Sequence, residues 1–377
     1  MGQDKPRNLC LQGNDSEIRD GFPPIAGFCY HLFMNRPAIV SVMLIFLILG
    51  GVFSCGRVSS PSPEPVAPTV RKILPKDSCV YNGAFLGEED ITAAKIEAFE
   101  SMSGKKLDIV LKFIAFNQMG TAGGFPLSEA STVAANGSVI FIKLEPWSWA
   151  GADDDSFSLE KIIAGDFDAR IEAFASAAAA HGEPIFVSFG HEMNAGWYPW
   201  GGNPELYKQA YIRVHGLMSA LAGNITWVWN PDIFEGAYPI SSYYPGDAYV
   251  DWVAVDGYNT EDYGEPWKTA EQLFNVAVLE LESYNKPLMI GEAACDANSE
   301  NDEAVRKPQW LYSAVEWIVG KNRSGSSDNL IKAYVYFNFD KTEEEILKRW
   351  AISRTEAKNK FKQALDDYTA YFKGIDP

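Results

Sequence analysis

The chain has 377 residues and a formal net charge of −18 at pH 7, with 50 acidic and 32 basic side chains. A chain this acidic, without a basic stripe, repels phosphate backbones and anionic polymers, so the composition argues against nucleic acid and for a neutral partner. Its hydrophobic fraction of 47% and its eleven tryptophans can fill a sizeable core. This length admits either two average domains or one α/β barrel of about 250 residues or more.

The N-terminal part of the chain is predicted to direct export. Residues 38–53 are almost wholly apolar, follow Arg36 and lead into Ser54 and Cys55, as in a secretory signal. This run is short for a membrane span. The ending VFSC resembles a bacterial lipobox, which implies cleavage before Cys55 and lipidation of its thiol. We therefore expect a protein anchored to the bacterial envelope through Cys55, facing the periplasm or exterior. An uncleaved signal anchor is the alternative.

Four segments follow from this interpretation. Residues 1–33 are predicted to be a non-native or disordered upstream extension, because Met34 stands where the initiator of the signal is expected. Residues 34–55 are the signal segment. Residues 56–75 include SSPSPEPVAP and are predicted to be a linker, because this composition stays extended. Residues 76–377 are predicted to form the folded domain.

After the linker, apolar runs of strand length alternate with longer helix-like segments, which is typical of a parallel α/β fold. The eight predicted strands lie at about residues 81–85, 107–116, 138–144, 184–189, 225–229, 252–256, 287–291 and 331–337. The predicted helices include residues 159–180, 204–221, 270–284, 304–319 and 355–372. This alternation favours a closed (β/α)8 TIM barrel over an open doubly wound sheet, and no nucleotide-binding glycine fingerprint follows the first strand.

Polar side chains follow the predicted strands at their carboxyl ends, where barrels of this type carry their active residues. The residues at these ends are Glu145, Glu192, Asp232, Asp256, Glu292 and Asn338, and nearby aromatic residues are Trp147, Trp197, Trp200 and Trp229. Indole rings stack on the apolar faces of sugars, and carboxyl groups act on the glycosidic bond. The pattern predicts a carbohydrate site with these substrate-binding residues: Glu145, Trp147, Asn194, Trp197, Trp200 and Asn338.

Two glutamates are the candidates for the chemistry. Glu192 follows the fourth predicted strand and Glu292 directly follows the seventh. A retaining glycosidase needs two carboxyl groups about 5 to 5.5 Å apart, one as nucleophile and one as general acid/base. An ionised Glu292 would raise the pKa of Glu192, so Glu192 is predicted to be the acid/base and Glu292 the nucleophile.

Other interpretations exist for single acidic residues. A lone carboxylate at a strand end is more often a helix cap or a salt-bridge partner, and this applies to Glu145 and Asp256. The pair His191-Glu192 also suggests zinc, but the helical zinc motif needs a second histidine three residues after the glutamate, and Ala195 stands there. We therefore expect no catalytic metal and no cofactor.

Four blocks of sequence, in this order, resemble glycoside hydrolase family 26. They are GHEMNAGWYPWG, WVWNPD, YYPGDAYVDWVAVDGYN and IGEAAC, and the resemblance runs from about Tyr81 to near the C-terminus. It implies a retaining mechanism without a metal, with Glu192 matching the family's acid/base and Glu292 its nucleophile. It also implies that Trp197 and Trp200 lie near the sugar-binding cleft.

Two further residues gain roles from the resemblance. Tyr258 matches the tyrosine that hydrogen-bonds the nucleophile, and His191 matches the histidine that precedes the acid. A phenol donating to Glu292 would stabilise its charged form and orient it, although a core tyrosine is the alternative. His191 either orients a carboxylate, contacts a sugar hydroxyl or is structural.

The substrate stays open between β-mannan and mixed-linkage β-1,3-1,4-glucan. Mannan-cleaving members often carry a histidine earlier on the rim, but none lies between His31 and His181. The third strand leads into Glu145-Pro146-Trp147, closer to members that act on mixed-linkage glucan, and the eighth ends in Asn338 rather than a tryptophan platform.

We therefore predict a monomeric endo-acting glycoside hydrolase for β-1,4 linkages. A hydrolase that processes the cell's own exopolysaccharide and a non-catalytic polysaccharide-binding surface protein are the alternatives. Two cysteines remain after cleavage before Cys55, Cys79 below the first strand and Cys295 above the seventh. Opposite ends of a barrel exceed the roughly 7 Å between bridged α-carbons, so both are predicted to be free thiols.

Overall fold

A computed structural model describes residues 70–375, with gaps at 121–122, 152, 235, 262–263, 298, 300, 323–330 and 344. The predicted upstream extension, the signal segment with Cys55 and residues 56–69 of the predicted linker lie outside the described residues. Among the helices described, none has the length and apolar character needed to cross a membrane.

Eight parallel strands close into a barrel in the order β1 to β8, with β8 paired to β1. They are β1 Tyr81–Phe85, β2 Ile109–Ala115, β3 Val139–Glu145, β4 Ile185–Phe189, β5 Ile225–Trp229, β6 Trp252–Asn259, β7 Leu288–Cys295 and β8 Ile331–Phe337. Their side chains are almost all buried, because one face of each strand meets the barrel interior and the other meets the helices. The predicted (β/α)8 barrel is confirmed.

Helices cover the outside of the barrel. They are α1 Ala93–Ser103, α2 Phe116–Met119, α3 Leu127–Ala135, α4 Leu159–Ala164, α5 Asp168–His181, α6 Pro204–Ser219, α7 Ala270–Glu282, α8 Lys307–Gly320 and α9 Thr355–Asp367. Thr92, Asn203 and Thr269 cap α1, α6 and α7 by accepting a backbone N–H. A hairpin of β9 Lys341–Glu343 and β10 Ile346–Lys348 follows β8.

The single helix predicted over residues 159–180 is wrong. Gly165 adopts a left-handed conformation, with φ at 95°, and ends α4, after which α5 begins at Asp168. Glycine takes this conformation without the steric cost that a Cβ atom brings, so it ends helices readily. The apolar periodicity of the sequence continues across Gly165, so the end of α4 could not be recognised from that pattern.

Two strands extend further than predicted. β6 continues to Asn259 and β7 to Cys295, so Asp256 lies inside its strand rather than at its end, and Glu292 lies inside its strand rather than after it. Both residues are opposite each other in the β6–β7 ladder, next to a register shift between Val255 and Asp256. The prediction that Glu292 follows its strand is therefore wrong, because β pairing continues past the apolar run into polar and small residues.

The segment before β1 packs against the barrel. Ile73 is 3% exposed, and its backbone N–H donates to Thr226 Oγ1. The Ile73 carbonyl accepts a hydrogen bond from Trp252 Nε1 at 2.9 Å. This part of the predicted linker thus contacts the lower end of the barrel. Trp227, Trp229 and Trp252 are fully buried within barrel strands, so Trp229 does not offer an exposed ring beside the polar strand ends.

Both cysteines of the described chain are buried and free. Cys79 precedes β1, and Cys295 ends β7 at the opposite end of the barrel. Burial raises the pKa of Cys295 to about 12. The prediction of two free thiols is confirmed.

Candidate active site

The turn after β4 presents Glu192 to the carboxyl end of the barrel. Glu192 has a left-handed backbone, with φ at 54°, and follows Gly190, which has φ at 57°. Its N–H donates to the Asn230 carbonyl at 2.8 Å, which ties the turn to the end of β5. A side chain in this region costs about 1–2 kcal/mol, and such strain is concentrated at functional sites.

The Glu192 side chain is buried, and one oxygen accepts a hydrogen bond from a tryptophan. Trp197 Nε1 donates to Glu192 Oε2 at 2.7 Å. Burial raises the pKa of Glu192 well above its usual range, and the negative charges of Asp232 and Glu292 raise it further. Trp197 acts in the opposite direction, because its hydrogen bond favours the charged form. Glu192 is therefore suited to hold a proton near neutral pH.

Glu292 is held from two sides. Tyr258 donates its hydroxyl to Glu292 Oε2, and the ammonium of Lys143 donates to Glu292 Oε1. Glu292 is 3% exposed. The contact predicted between Tyr258 and Glu292 is present, and each carboxylate oxygen of Glu292 has a donor.

Lys143 was missed by sequence reasoning. It projects from β3, is fully buried and lies 2.6 Å from Asp256 Oδ2 as well as against Glu292. Burial lowers the pKa of Lys143, but the charges of Asp256 and Glu292 more than offset this, so the pKa is raised above its usual range. The available signal was a lysine inside the apolar strand VIFIKLE.

The two candidate carboxyl groups converge. His191, Glu192, Asp256 and Glu292 each offer one atom, and these four atoms lie within 4.8 Å of one another. The strands bring together residues that are 100 positions apart in sequence, Glu192 and Glu292. Both oxygens can therefore reach one glycosidic bond.

This group of four is also of a kind that can hold a metal ion. The ammonium of Lys143 already bonds two of its members, Asp256 and Glu292. A metal ion placed between these carboxylates would be repelled by that ammonium. The arrangement favours acid–base chemistry by the carboxyl groups, and the need for no metal stays a prediction.

Two further buried carboxyl groups border the pair. Burial raises the pKa of Asp232 to about 8 and that of Glu145 to about 7. Asn194 fixes the Asp232 segment, because its side chain accepts from Asp232 N and donates to Asp232 O, both at 2.9 Å. The structure thus gives Asn194 a supporting contact, and its predicted contact with substrate stays a prediction.

Glu145 pairs with a tryptophan that sequence reasoning did not single out. Trp149 Nε1 donates to Glu145 Oε2 at 2.8 Å, and the Trp149 side chain is exposed. Trp149 has φ at 63°, which is rare for a bulky residue. The pair repeats the arrangement of Trp197 and Glu192, so two exposed indoles border the site, each bonded to a buried carboxyl group.

The other predicted tryptophans lie deeper. Trp200 is 1% exposed, donates to the His191 carbonyl at 2.7 Å and stacks on Tyr198 with 4.3 Å between ring centroids. Trp147 is half-buried, and its ring meets Trp200 edge-on at 5.4 Å. Trp200 therefore supports the turn that carries His191, and its predicted contact with sugar stays a prediction.

His191 lies in an aromatic pocket. The rings of Phe113, Tyr198 and Trp200 lie 5.1–5.9 Å from its own. Burial lowers the pKa of His191 well below its usual range, and the Lys143 charge lowers it further, so the ring is neutral. Within the described residues, Nδ1 of His191 has no hydrogen-bond partner.

Asn338 supports a neighbouring segment. Its side-chain oxygen accepts from Ile352 N at 2.8 Å. The same segment carries Trp350, which is buried and lies 4.9 Å from the Tyr258 ring. Asn338 thus holds the segment that packs against Tyr258, and a direct contact of Asn338 with substrate stays a prediction.

Known proteins share this fold and sequence pattern. Residues 154–293 match the model of glycosyl hydrolase family 26. The chain is 31% identical to endoglucanase H of Acetivibrio thermocellus over 297 residues, which cover 75% of this chain and 30% of that protein. It is 26% identical to a β-1,3-xylanase of an Alcaligenes species over 198 residues, which cover 50% of this chain and 39% of that protein. The chain thus spans well under half the length of these relatives.

The fold also matches a solved catalytic domain. An endo-β-1,4-mannanase from Bacillus sp. JAMB-750 superposes with a TM-score of 0.53 at 14% identity, covering 81% of this chain and 95% of that one. The matched residues 154–293 include Glu192, Tyr258 and Glu292. With this match, this fold and this convergent pair of carboxyl groups, the barrel carries a glycosyl hydrolase family 26 domain over residues 154–293.

Proposed function

We propose that the protein is an endo-acting retaining glycosidase that cleaves β-1,4 linkages in mixed-linkage β-1,3-1,4-glucan. The observation that supports it most is the approach of Glu192 and Glu292, which offer oxygens within 4.8 Å of each other. Retaining enzymes separate their carboxyl groups by about 5 to 5.5 Å, whereas inverting enzymes leave about 6.5 to 9.5 Å for a water molecule.

In the first step Glu292 is the nucleophile. A carboxylate oxygen of Glu292 bonds to the anomeric carbon while the bond from that carbon to the leaving oxygen breaks. Glu192 gives its proton to the leaving oxygen, which departs as a sugar hydroxyl. Tyr258 and Lys143 hold Glu292 in place for this attack.

In the second step water displaces the Glu292 carboxylate from the anomeric carbon. Once the ester forms, Glu292 carries no charge, and one cause of the raised pKa of Glu192 is gone. Glu192, now a carboxylate, takes a proton from water as the water oxygen attacks the anomeric carbon. The bond to Glu292 breaks, and the enzyme returns to its starting state with the stereochemistry retained.

Glucan is favoured by the extent of the match to known proteins. The match to endoglucanase H extends over 75% of this chain at 31% identity. The mannanase named above shares 14% identity and supports the fold alone. The exposed indoles of Trp149 and Trp197 suit stacking on the flat faces of a neutral polymer.

The nucleophile is tested by Glu292→Ala. We expect this variant to lose hydrolysis by about 10⁴-fold or more, because the covalent route is closed. Added azide should restore turnover of an activated aryl glycoside as a glycosyl azide, detected by mass spectrometry. Full hydrolytic activity in the variant would rule out the proposed role.

The substrate is tested on a panel of polysaccharides. Mixed-linkage glucan, β-mannan, galactomannan and β-xylan are incubated with the enzyme, and the products are sized. We expect early release of intermediate-length oligosaccharides from mixed-linkage glucan. If the enzyme hydrolyses mannan faster than glucan, mannan is the preferred substrate and the proposal of glucan is wrong. Release of single sugars only would contradict endo action.

A further inference from the structure

Lys143 contacts the proposed nucleophile Glu292 and the neighbouring carboxylate of Asp256. Its ammonium bonds Asp256 Oδ2 at 2.6 Å and also bonds Glu292 Oε1. The Lys143 side chain is 0% exposed, and Phe113 and Phe141 place their ring centroids 5.8 and 5.7 Å from Nζ. An ammonium in such apolar surroundings interacts strongly with charge on Glu292, because few water molecules screen it.

The two oxygens of Glu292 differ in their surroundings. Oε1 is bonded to Lys143, which is inaccessible to solvent, while Oε2 is bonded to Tyr258, which is half-buried. Oε1 therefore points into the barrel, and Oε2 lies nearer the cleft. When a sugar bonds to Oε2, Oε1 becomes the carbonyl oxygen of the ester and can still accept a hydrogen bond from Lys143.

We propose that Lys143 is a positioning residue that holds Oε1 of Glu292 throughout the reaction and promotes the departure of the Glu292 carboxylate in the second step. This inference rests on the proposed glycosidase function. Stabilisation of charge on Glu292 is needed in the second step, because negative charge returns to Glu292 as its bond to the sugar breaks. A fixed ammonium stabilises this developing charge without reorganising, in the manner of an oxyanion hole.

In the second step the water oxygen forms a bond to the anomeric carbon, and one water proton passes to the Glu192 carboxylate. The bond between the anomeric carbon and Oε2 breaks, and its electron pair returns to Glu292. Lys143 keeps its protons and donates a hydrogen bond to Oε1 before and after the step.

The inference is tested with Lys143→Met, which keeps an unbranched side chain one atom shorter than lysine and removes its charge. With an aryl glycoside that has a good leaving group, 2,4-dinitrophenyl β-cellobioside, the first step needs little acid help. We expect a burst of dinitrophenolate equal to the enzyme concentration, followed by a steady rate lowered on the order of 100-fold. Mass spectrometry should show the glycosylated enzyme.

The pH profile gives a second measurement on the same variant. The acid limb of kcat/KM reports the ionisation of the group that must be charged in the free enzyme. Without the ammonium, that limb should move to higher pH by about one unit or more, because an opposite charge in contact with a carboxylate favours its ionised form. A purely structural lysine would leave the position of this limb unchanged.

Two controls separate this role from a general loss of stability. Lys112→Met removes a lysine of the neighbouring strand β2, whose ion pair with Glu129 is 2.8 Å long and partly buried, and it should show no burst. If Lys143→Met fails to fold, Lys143→Met with Asp256→Asn removes both charges together and should still show the burst. Asp256→Asn alone keeps the ammonium on Glu292 and should show none.

The outcomes distinguish the two proposals. If the unaltered enzyme hydrolyses neither the aryl glycoside nor any polysaccharide of the panel, the proposed function fails. If it hydrolyses them, and the Lys143 variants show no burst and an unmoved acid limb, the role of Lys143 is overturned while the function stands.

Discussion

Glu192 depends on a single indole for the hydrogen bond that limits its pKa. Burial raises the pKa of Glu192, and the hydrogen bond from Trp197 lowers it, because an N–H donor stabilises the carboxylate. Trp197 is 45% exposed, so substrate that stacks on its ring also affects the surroundings of the acid. We therefore propose that this one side chain links sugar binding to proton transfer.

This link predicts the effect of Trp197→Phe. Removing the donor disfavours the charged form of Glu192, so its pKa should rise further, and the alkaline limb of kcat/KM should move to higher pH by up to about one unit. Initial rates from pH 4 to 10 measure the shift. Trp149→Phe should leave that limb in place, since Trp149 bonds Glu145 instead. A shift to lower pH in Trp197→Phe would contradict the assignment of Glu192 as the acid.

At the scale of elements, side chains hold the segment that follows the β9–β10 hairpin. Lys307 at the start of α8 donates to the carbonyls of Arg349, Trp350 and Ala351 at 2.6, 3.0 and 2.8 Å. Other side chains accept hydrogen bonds from backbone N–H groups of this segment, as the Asn338 side chain does from Ile352 N. The segment is neither helix nor strand, so these contacts take the place of a ladder.

Lys307→Met should weaken this anchoring and the site together. The part-buried carbonyls of Arg349 and Ala351 would lose this donor, whereas the Trp350 carbonyl keeps a hydrogen bond from the Tyr336 hydroxyl at 2.8 Å. The loss should destabilise the protein by about 2 kcal/mol or more. Because Trp350 packs against Tyr258, kcat should also fall. Denaturant unfolding and steady-state kinetics measure both effects.

The matched control for this prediction lies at the opposite end of α8. Lys321→Met removes a lysine that bonds Asn275 on the outside of the barrel. It should change stability by less than about 1 kcal/mol and leave kcat unchanged. A stable Lys307→Met variant with full activity would show that the segment holds its place without the lysine.

At the scale of the whole molecule, we propose that the barrel is exported and tethered through Cys55. The apolar run of residues 38–53 and the VFSC ending support this, and the net charge of −18 keeps the exported barrel soluble. Mass spectrometry of the protein purified from a bacterial membrane fraction should find Cys55 as the lipidated N-terminus. Cys55→Ala should release the protein from the membrane, and a mature N-terminus elsewhere would contradict the tether.

Much of the fold was predictable because it depends on repeating local patterns. Alternation of apolar runs and helical segments predicted the eight strands, and a strong block pattern placed Glu192, Tyr258 and Glu292. The ends of β6 and β7 were not predictable, since pairing with a neighbouring strand extended them beyond the apolar residues. The break at Gly165 was hidden by periodicity on both sides.

Single residues of the site also differ in how far the sequence predicted their contacts and exposure. Glu145 was known as a strand-end acid, but its bond to Trp149 depends on a left-handed backbone that no local pattern predicts. Trp200 and Trp197 look equivalent in sequence, three residues apart, yet one is 1% and the other 45% exposed. Exposure depends on what packs above a residue.

The sequence alone determined the barrel, the identity of the two candidate carboxyl groups and the chemistry they suggest. Those features reside in local periodicity and in residue type. Only the tertiary structure decided that Lys143 lies between Asp256 and Glu292, because β3, β6 and β7 meet only when the barrel closes. The charge balance of the site comes from contacts distant in sequence, and closing the barrel is what creates them.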